Sequence, residues 1–152
     1  MRSVPQLFTL DKFLLYNDIK RLPLFTADAD HHPWPQQVLS WREVVLQADA
    51  VIISTPAYLD NIPALLKNAL EWLTSSGELA GKPVLPITFT PHPPRGEKAM
   101  QSLIWSLMAM DARIVVQLGL YQDDIEFAKD GSITNGDGRK MILEAMQLLL
   151  SS

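Results

Sequence analysis

Apolar residues change their spacing several times along the chain, and each change marks the boundary of a predicted element. Lys12 to Asn17 (Lys-Phe-Leu-Leu-Tyr-Asn) reads as a short strand, followed by a loop rich in Pro, Asp and His from Asp18 to Pro35. From Gln36 to Ala48, Val38, Leu39, Trp41, Val44, Val45 and Leu46 recur at helical spacing, which predicts a helix. Ala50 to Ser54 is a continuous apolar run with β-branched residues, the pattern of a strand buried on both faces of a parallel sheet. Thr55 to Asn61 is a loop. A helix is predicted over Ile62 to Ser76, with Pro63 in its first turn, Gly77 past its end, and a stripe of Leu65, Leu66, Ala69, Leu70, Trp72 and Leu73.

Pro83 to Phe89 reads as the third strand. Pro86 cannot donate to a ladder, so a bulge or a gap in pairing is expected there. Thr90 to Gly96 is a Pro-rich loop. Glu97 to Met110 is helical, with Met100, Leu103, Ile104, Leu107 and Met108 expected to face inward. Ala112 to Leu118 is the fourth strand, turns fall at Asp130 to Ser132 and Asn135 to Gly138, and Arg139 to Leu150 closes the chain as a helix. Strict alternation of strand and helix predicts a parallel α/β sheet covered on both faces. Ligands of such sheets bind beyond the carboxyl ends of the strands. The loops of interest are therefore Asp18 to Pro35, Thr55 to Asn61, Thr90 to Gly96 and Gly119 to Thr134.

Composition narrows the function classes. The length of 152 residues suits a single domain, and 47% hydrophobic residues can build a packed core. A net charge of -4 argues against a nucleic-acid partner, which needs a basic face. Cysteine is absent, so disulfides, thiolate metal sites and cysteine nucleophiles are excluded. No apolar run is long enough for a membrane span and no signal peptide is read at the start, so a cytoplasmic protein is expected. Asp28, Asp30, His31 and His32 read as a solvated acidic turn rather than a metal site, and Asp123, Asp124 and Glu126 as a surface turn. Ser54, His92 and Asp60 could spell a catalytic triad, but nothing like a nucleophile elbow surrounds Ser54.

The segment from Ser54 to Trp72 carries a more specific signal. Thr55, Pro56, Tyr58, Pro63, Leu66, Lys67, Asn68, Ala69, Leu70, Glu71 and Trp72 reproduce a loop of the form Thr-Pro-x-Tyr and a helix reading Leu-Lys-Asn-Ala-Leu-Glu-Trp. This resembles the signature of the NADPH-dependent FMN reductase family. Leu22-Pro23-Leu24-Phe25 and Gly81-Lys82-Pro83-Val84 resemble two further stretches of the same family. The resemblance implies a flavodoxin-like, doubly wound parallel sheet of order 2-1-3-4-5, with FMN as cofactor and NAD(P)H as co-substrate. It implies a small-molecule electron acceptor such as a flavin or quinone, and assembly as a homodimer or homotetramer. The cofactor-binding positions it implies are Thr55, Pro56, Ala57, Tyr58, Leu59, Thr90 and His92. No catalytic side chain is assigned, because a flavin carries the chemistry and the protein orients it.

The chain also departs from the family pattern. Ala57 stands where the family has Glu, Leu59 where it has Asn, and Thr90 to Gly96 is proline-rich where the family is glycine-rich. Val4 to Asp11 resembles the end of the family's first helix, so the first strand and the phosphate-binding loop are expected to be missing from this chain. On that reading the isolated chain binds FMN weakly or not at all, and a non-catalytic remnant or oligomerising module is the alternative function.

Overall fold

The computed structural model describes residues 13–134 and 136–152. Four strands, β1 (Val51–Thr55), β2 (Pro83–Thr90), β3 (Arg113–Ile114) and β4 (Leu118–Tyr121), form one sheet in which β2 is central. It pairs in parallel with β1 on one side and with β3 and β4 on the other. Four helices cover it: α1 (Gln36–Gln47), α2 (Ala64–Glu71), α3 (Glu97–Ala109) and α4 (Asp137–Leu150). Val45 of α1, Leu70 of α2 and Leu103 and Leu107 of α3 pack on Val84 on one face. On the other face, Ile142, Met146 and Leu149 of α4 pack on Leu85, Ile87 and Leu120. The molecule is thus the expected helix–sheet–helix α/β sandwich, and β1, β2 and β3/β4 follow the last three strands of the order 2-1-3-4-5.

Pro86 sits where its missing N–H does least harm. On the far side of β2 from β1, pairing passes from Val84 with Ile114 to Ile87 with Leu118. Leu85 and Pro86 therefore face Val115, Val116 and Gln117, one residue more than their own number. This bulge breaks the expected strand over Ala112 to Leu118 into β3 and β4 and shifts its end to Tyr121.

Other expectations are corrected. Residues 13–17 are not a strand, and none of them has a ladder partner among the described residues. Lys12, and the segment Val4 to Asp11 likened to a helix end, lie outside the described residues. The helix expected over Ile62 to Ser76 is shorter: Pro63 occupies its cap in an extended conformation, and after Glu71 the chain continues in turns. Thr74, Ser75 and Ser76 are weak helix formers, and Gly77 ends the segment at φ +76°. Met108 faces outward at 63% exposure. It lies one residue beyond the Leu103–Leu107 seam and so is turned away from the sheet.

Two motifs find structural reasons. Lys82, in the Gly-Lys-Pro-Val stretch, donates its ammonium to the carbonyls of Leu46 (3.1 Å) and Ala48 (2.5 Å), satisfying acceptors left over at the end of α1. Asn68 and Trp72, in the helix motif, hold the Leu-Pro-Leu-Phe loop. Asn68 accepts the Phe25 N–H at 2.7 Å and donates to the Pro23 carbonyl at 2.9 Å. Trp72 Nε1 donates to that same carbonyl at 2.8 Å. Asn68 is buried despite its polarity, because both ends of its carboxamide are engaged by the loop.

Candidate functional site

β1, β2 and β4 all end at one edge of the sheet, and the loops that leave them form a rim. Thr55 closes β1 in register with Thr88, so the turn after β1 stands beside the end of β2. That turn is tight: the Tyr58 N–H donates to the Asn61 carbonyl at 2.8 Å, and the Asn61 N–H to the Tyr58 carbonyl at 2.9 Å. Leu59 and Asp60 between them have φ of 51° and 61°, the left-handed conformation of a two-residue hairpin turn. Asn61 then caps the approach to α2 by accepting the Ile62 N–H with its side chain at 2.8 Å. The result is a rigid finger with the Tyr58 ring 64% exposed and Leu59 fully exposed at its tip.

Leu59 is a poor choice for its conformation, since a left-handed L-residue other than Gly or Asn costs roughly 1–2 kcal/mol. Leu59→Asn is therefore expected to stabilise the protein by about 0.5–1 kcal/mol, read as a raised urea midpoint with unchanged slope. An unchanged or lowered midpoint would show that the Leu59 side chain contributes contacts that offset the strain.

The finger is tied to α3. Asp60 and Lys98 form an ion pair at 2.7 Å. The Lys98 hydrogen bond and charge lower the Asp60 carboxyl pKa, and Asp60 in turn raises that of Lys98. Both groups are largely exposed, so the pair sets position more than stability.

The Pro-rich loop after β2 is held from within. Thr90 donates its hydroxyl to the Arg95 carbonyl at 2.8 Å, and the Arg95 N–H reaches the His92 carbonyl at 3.1 Å. Gly96 turns the chain into α3 at φ +95°, and a Cβ there would sit 3.0 Å from the Thr90 methyl, so both conformation and space demand glycine. His92 is exposed, with Nδ1 3.0 Å from the Pro93 carbonyl.

Of the sequence-derived positions, the two groups thus stand on adjacent strand ends, but their side chains differ in what they offer. Thr55 and Thr90 are buried, and each hydroxyl is engaged with a carbonyl of its own loop, Thr55 with Pro56 at 3.0 Å. Pro56 has no N–H to give. Ala57 packs partly against the core. What is exposed is the Tyr58 ring, the Leu59 tip and His92, and the amides of Ala57 and His92 have no hydrogen-bond acceptor among the described residues. The triad of Ser54, His92 and Asp60 does not form, because Asp60 is taken by Lys98 and the His92 ring lies against Pro93.

The sequence-derived acidic turn is not simply solvated. Asp30 has a side chain only 9% exposed and accepts from Arg42 Nη2 at 2.8 Å and Trp34 Nε1 at 3.2 Å. Arg42 is itself buried, with its Nε on the Trp72 carbonyl at 2.9 Å and the Trp34 ring 4.0 Å away. No group of three or more His, Asp or Glu side chains suited to a metal exists among the described residues. Lys98 and Arg42 both escaped the sequence reading; each acts across 12 residues or more, and no local pattern marks such contacts.

Comparison with known proteins bears on this rim. The sequence profile described as NADPH-dependent FMN reductase matches residues 10–122, a span that takes in the finger, the Pro-rich loop and all four strands. The chain belongs to the NADPH-dependent FMN reductase family. Among solved structures similar to this family member is FerB from Paracoccus denitrificans, a flavoenzyme NAD(P)H:(acceptor) oxidoreductase. The match has a TM-score of 0.74 at 25% identity and covers 96% of this chain and 83% of that one. An oxidoreductase from Corynebacterium diphtheriae matches at TM-score 0.65 and 18% identity, over 78% of this chain and 62% of that one. The apo form of the NADH:FMN oxidoreductase EMOB matches at 0.62 and 22%, over 76% and 60%. The chain spans less than two thirds of these last two proteins, and both matches speak to the fold. A search of curated proteins found no match in sequence. No helix among the described residues is long and apolar enough to cross a membrane.

Proposed function

We propose that this chain is an FMN-dependent NAD(P)H oxidoreductase that passes electrons from a nicotinamide to a small acceptor such as a flavin or quinone. The observation that carries this reading is the finger: an exposed Tyr58 ring held by paired backbone hydrogen bonds, with amides of Ala57 and His92 that have no acceptor among the described residues. A flavin ring needs an apolar face to lie against and donors for its polar edge, and those groups supply both. When bound, FMN would supply the two-electron chemistry. Tyr58 and the Ala57 and His92 amides would hold it, and the Asp60–Lys98 pair ties the finger that carries Tyr58 to α3. Thr55 and Thr90 act from beneath, shaping their loops rather than touching the ring. Pro56 and Leu59 fix the backbone on either side of the contact.

Assembly as a homodimer or homotetramer and a cytoplasmic location belong to the same proposal. Trp105 and Met108 on α3 are 65% and 63% exposed, which supports a subunit contact there. The lack of cysteine suits a reducing compartment.

The test is steady-state oxidation of NADH and NADPH with a quinone acceptor at increasing FMN. The rate is expected to rise with FMN, and Tyr58→Ala is expected to raise the half-saturating FMN concentration about three- to tenfold, the worth of one aromatic contact. No FMN-dependent rate at any concentration would favour the non-catalytic module instead.

A further inference from the structure

A cleft of about 310 Å³ opens between α3 and β4 on the face of the sheet that α3 covers, lined by none of the finger's residues. Its walls are set by the core beneath them. Leu103 and Leu107 anchor α3, and Leu118 and Leu120 anchor β4, all buried. The alternation of β4 then turns Gln117, Gly119 and Tyr121 toward the cleft. The helical period brings Glu97, Gln101 and Ile104 to the same opening, with Met100 at its base. Gly119 adds no side chain to the wall; a Cβ there would stand in ordinary contact with the Tyr121 hydroxyl and Thr88 Oγ1, 3.9 Å from each.

Glu97 brings a carboxylate that makes no ion pair among the described residues, and no lysine, arginine or histidine lines the cleft. The carboxamides of Gln101 and Gln117 and the hydroxyls of Tyr121 and Thr88 can accept as well as donate, and Met100 and Ile104 add apolar surface. Anions, including the phosphates of a nicotinamide nucleotide, are repelled by such a site. A planar cation with several N–H donors matches it, because the carboxylate accepts a charge-assisted bond and the apolar floor takes the body of the molecule. We propose that this cleft is a binding site for a small organic cation, an amidinium or guanidinium group on a compact apolar body. It stands independently of the flavin reading, since none of its residues belongs to the finger.

The probe is benzamidine, titrated into the ¹⁵N-labelled protein and followed by NMR, with the neutral isostere benzamide and the anion benzoate as controls. Saturable shifts are expected at the Gly119 amide and the Gln101 and Gln117 side-chain amides. Benzamide should bind at least tenfold more weakly and benzoate not at all. Glu97→Gln, on an exposed position, should weaken benzamidine by at least tenfold, the loss of one charge-assisted hydrogen bond. Gly119→Val, which fills the space without violating the backbone, should abolish the shifts while its unfolding midpoint confirms a folded protein. Equal binding of benzamidine and benzamide, unchanged binding by Glu97→Gln, or shifts absent or confined to other surfaces would overturn the proposal.

Discussion

Arg42→Met should cost about 3–5 kcal/mol of stability, a large part of what a domain of this size possesses. The guanidinium is 6% exposed and serves three elements at once. Its Nε holds the Trp72 carbonyl behind α2, and its Nη2 holds Asp30 at 2.8 Å and Ser75 Oγ at 3.2 Å. Glu78, also buried, lies 4.0 Å from Nε. Methionine restores the volume but leaves two carboxylates buried without a counter-charge, and that penalty exceeds the modest net worth of the pair itself. Arg42 Nη1 has no hydrogen-bond partner among the described residues, which already engage its Nε and Nη2. The check is urea unfolding of both forms; a difference below about 1 kcal/mol would mean that the node is solvated.

The same node makes a prediction about acid. Burial pushes the Asp30 carboxyl up, but hydrogen bonds from Ser75 and Arg42, the Arg42 charge and the Trp34 N–H outweigh it and leave the pKa lowered from its ordinary 3.8. A group with a lowered folded pKa contributes stability above its unfolded value and loses it as pH falls through the folded one. The stability gap between wild type and Asp30→Asn should therefore be widest above about pH 4 and shrink below it. A gap independent of pH would show that Asp30 acts only as a hydrogen-bond acceptor.

Trp72→Ala is expected to have a comparable effect, about 3–5 kcal/mol. The side chain is fully buried against Leu22, Val38 and Ala69, with Phe25 edge-on at 5.1 Å between ring centres. Removal opens a cavity and also frees the Pro23 carbonyl from Nε1. Trp72→Phe separates the two contributions. It keeps most of the apolar bulk and loses the bond, which Asn68 partly replaces, and should cost only about 1–2 kcal/mol. Equal losses for the two variants, measured by denaturant unfolding, would show that the hydrogen bond rather than the packing fixes the loop.

What could be read in the sequence tracks how local its cause is. β1 and the first three turns of α3 follow from apolar period alone, and the break opposite Pro86 follows from one missing N–H. The segment Phe13 to Asn17 looked like a strand because it is apolar, yet a strand exists only where a partner supplies hydrogen bonds, and no local pattern encodes that. Asp30 looked solvated because its partner lies 12 residues away on α1. Met108 looked inward-facing from its apolar character, yet it is 63% exposed, because one step beyond the Leu103–Leu107 seam the helix turns it away. The finger was legible as a loop at a strand end. Its tight left-handed turn was not, because Leu59 and Asp60 are not the residues that normally announce one.

The central claim is that a flavin ring lies along the Tyr58 finger. A ¹⁵N NMR titration with FMN tests it at any affinity. The account predicts that the largest shifts fall on the Ala57, Leu59 and His92 amides and are weakened by Tyr58→Ala. Shifts centred on another surface, or none at millimolar FMN, would contradict it.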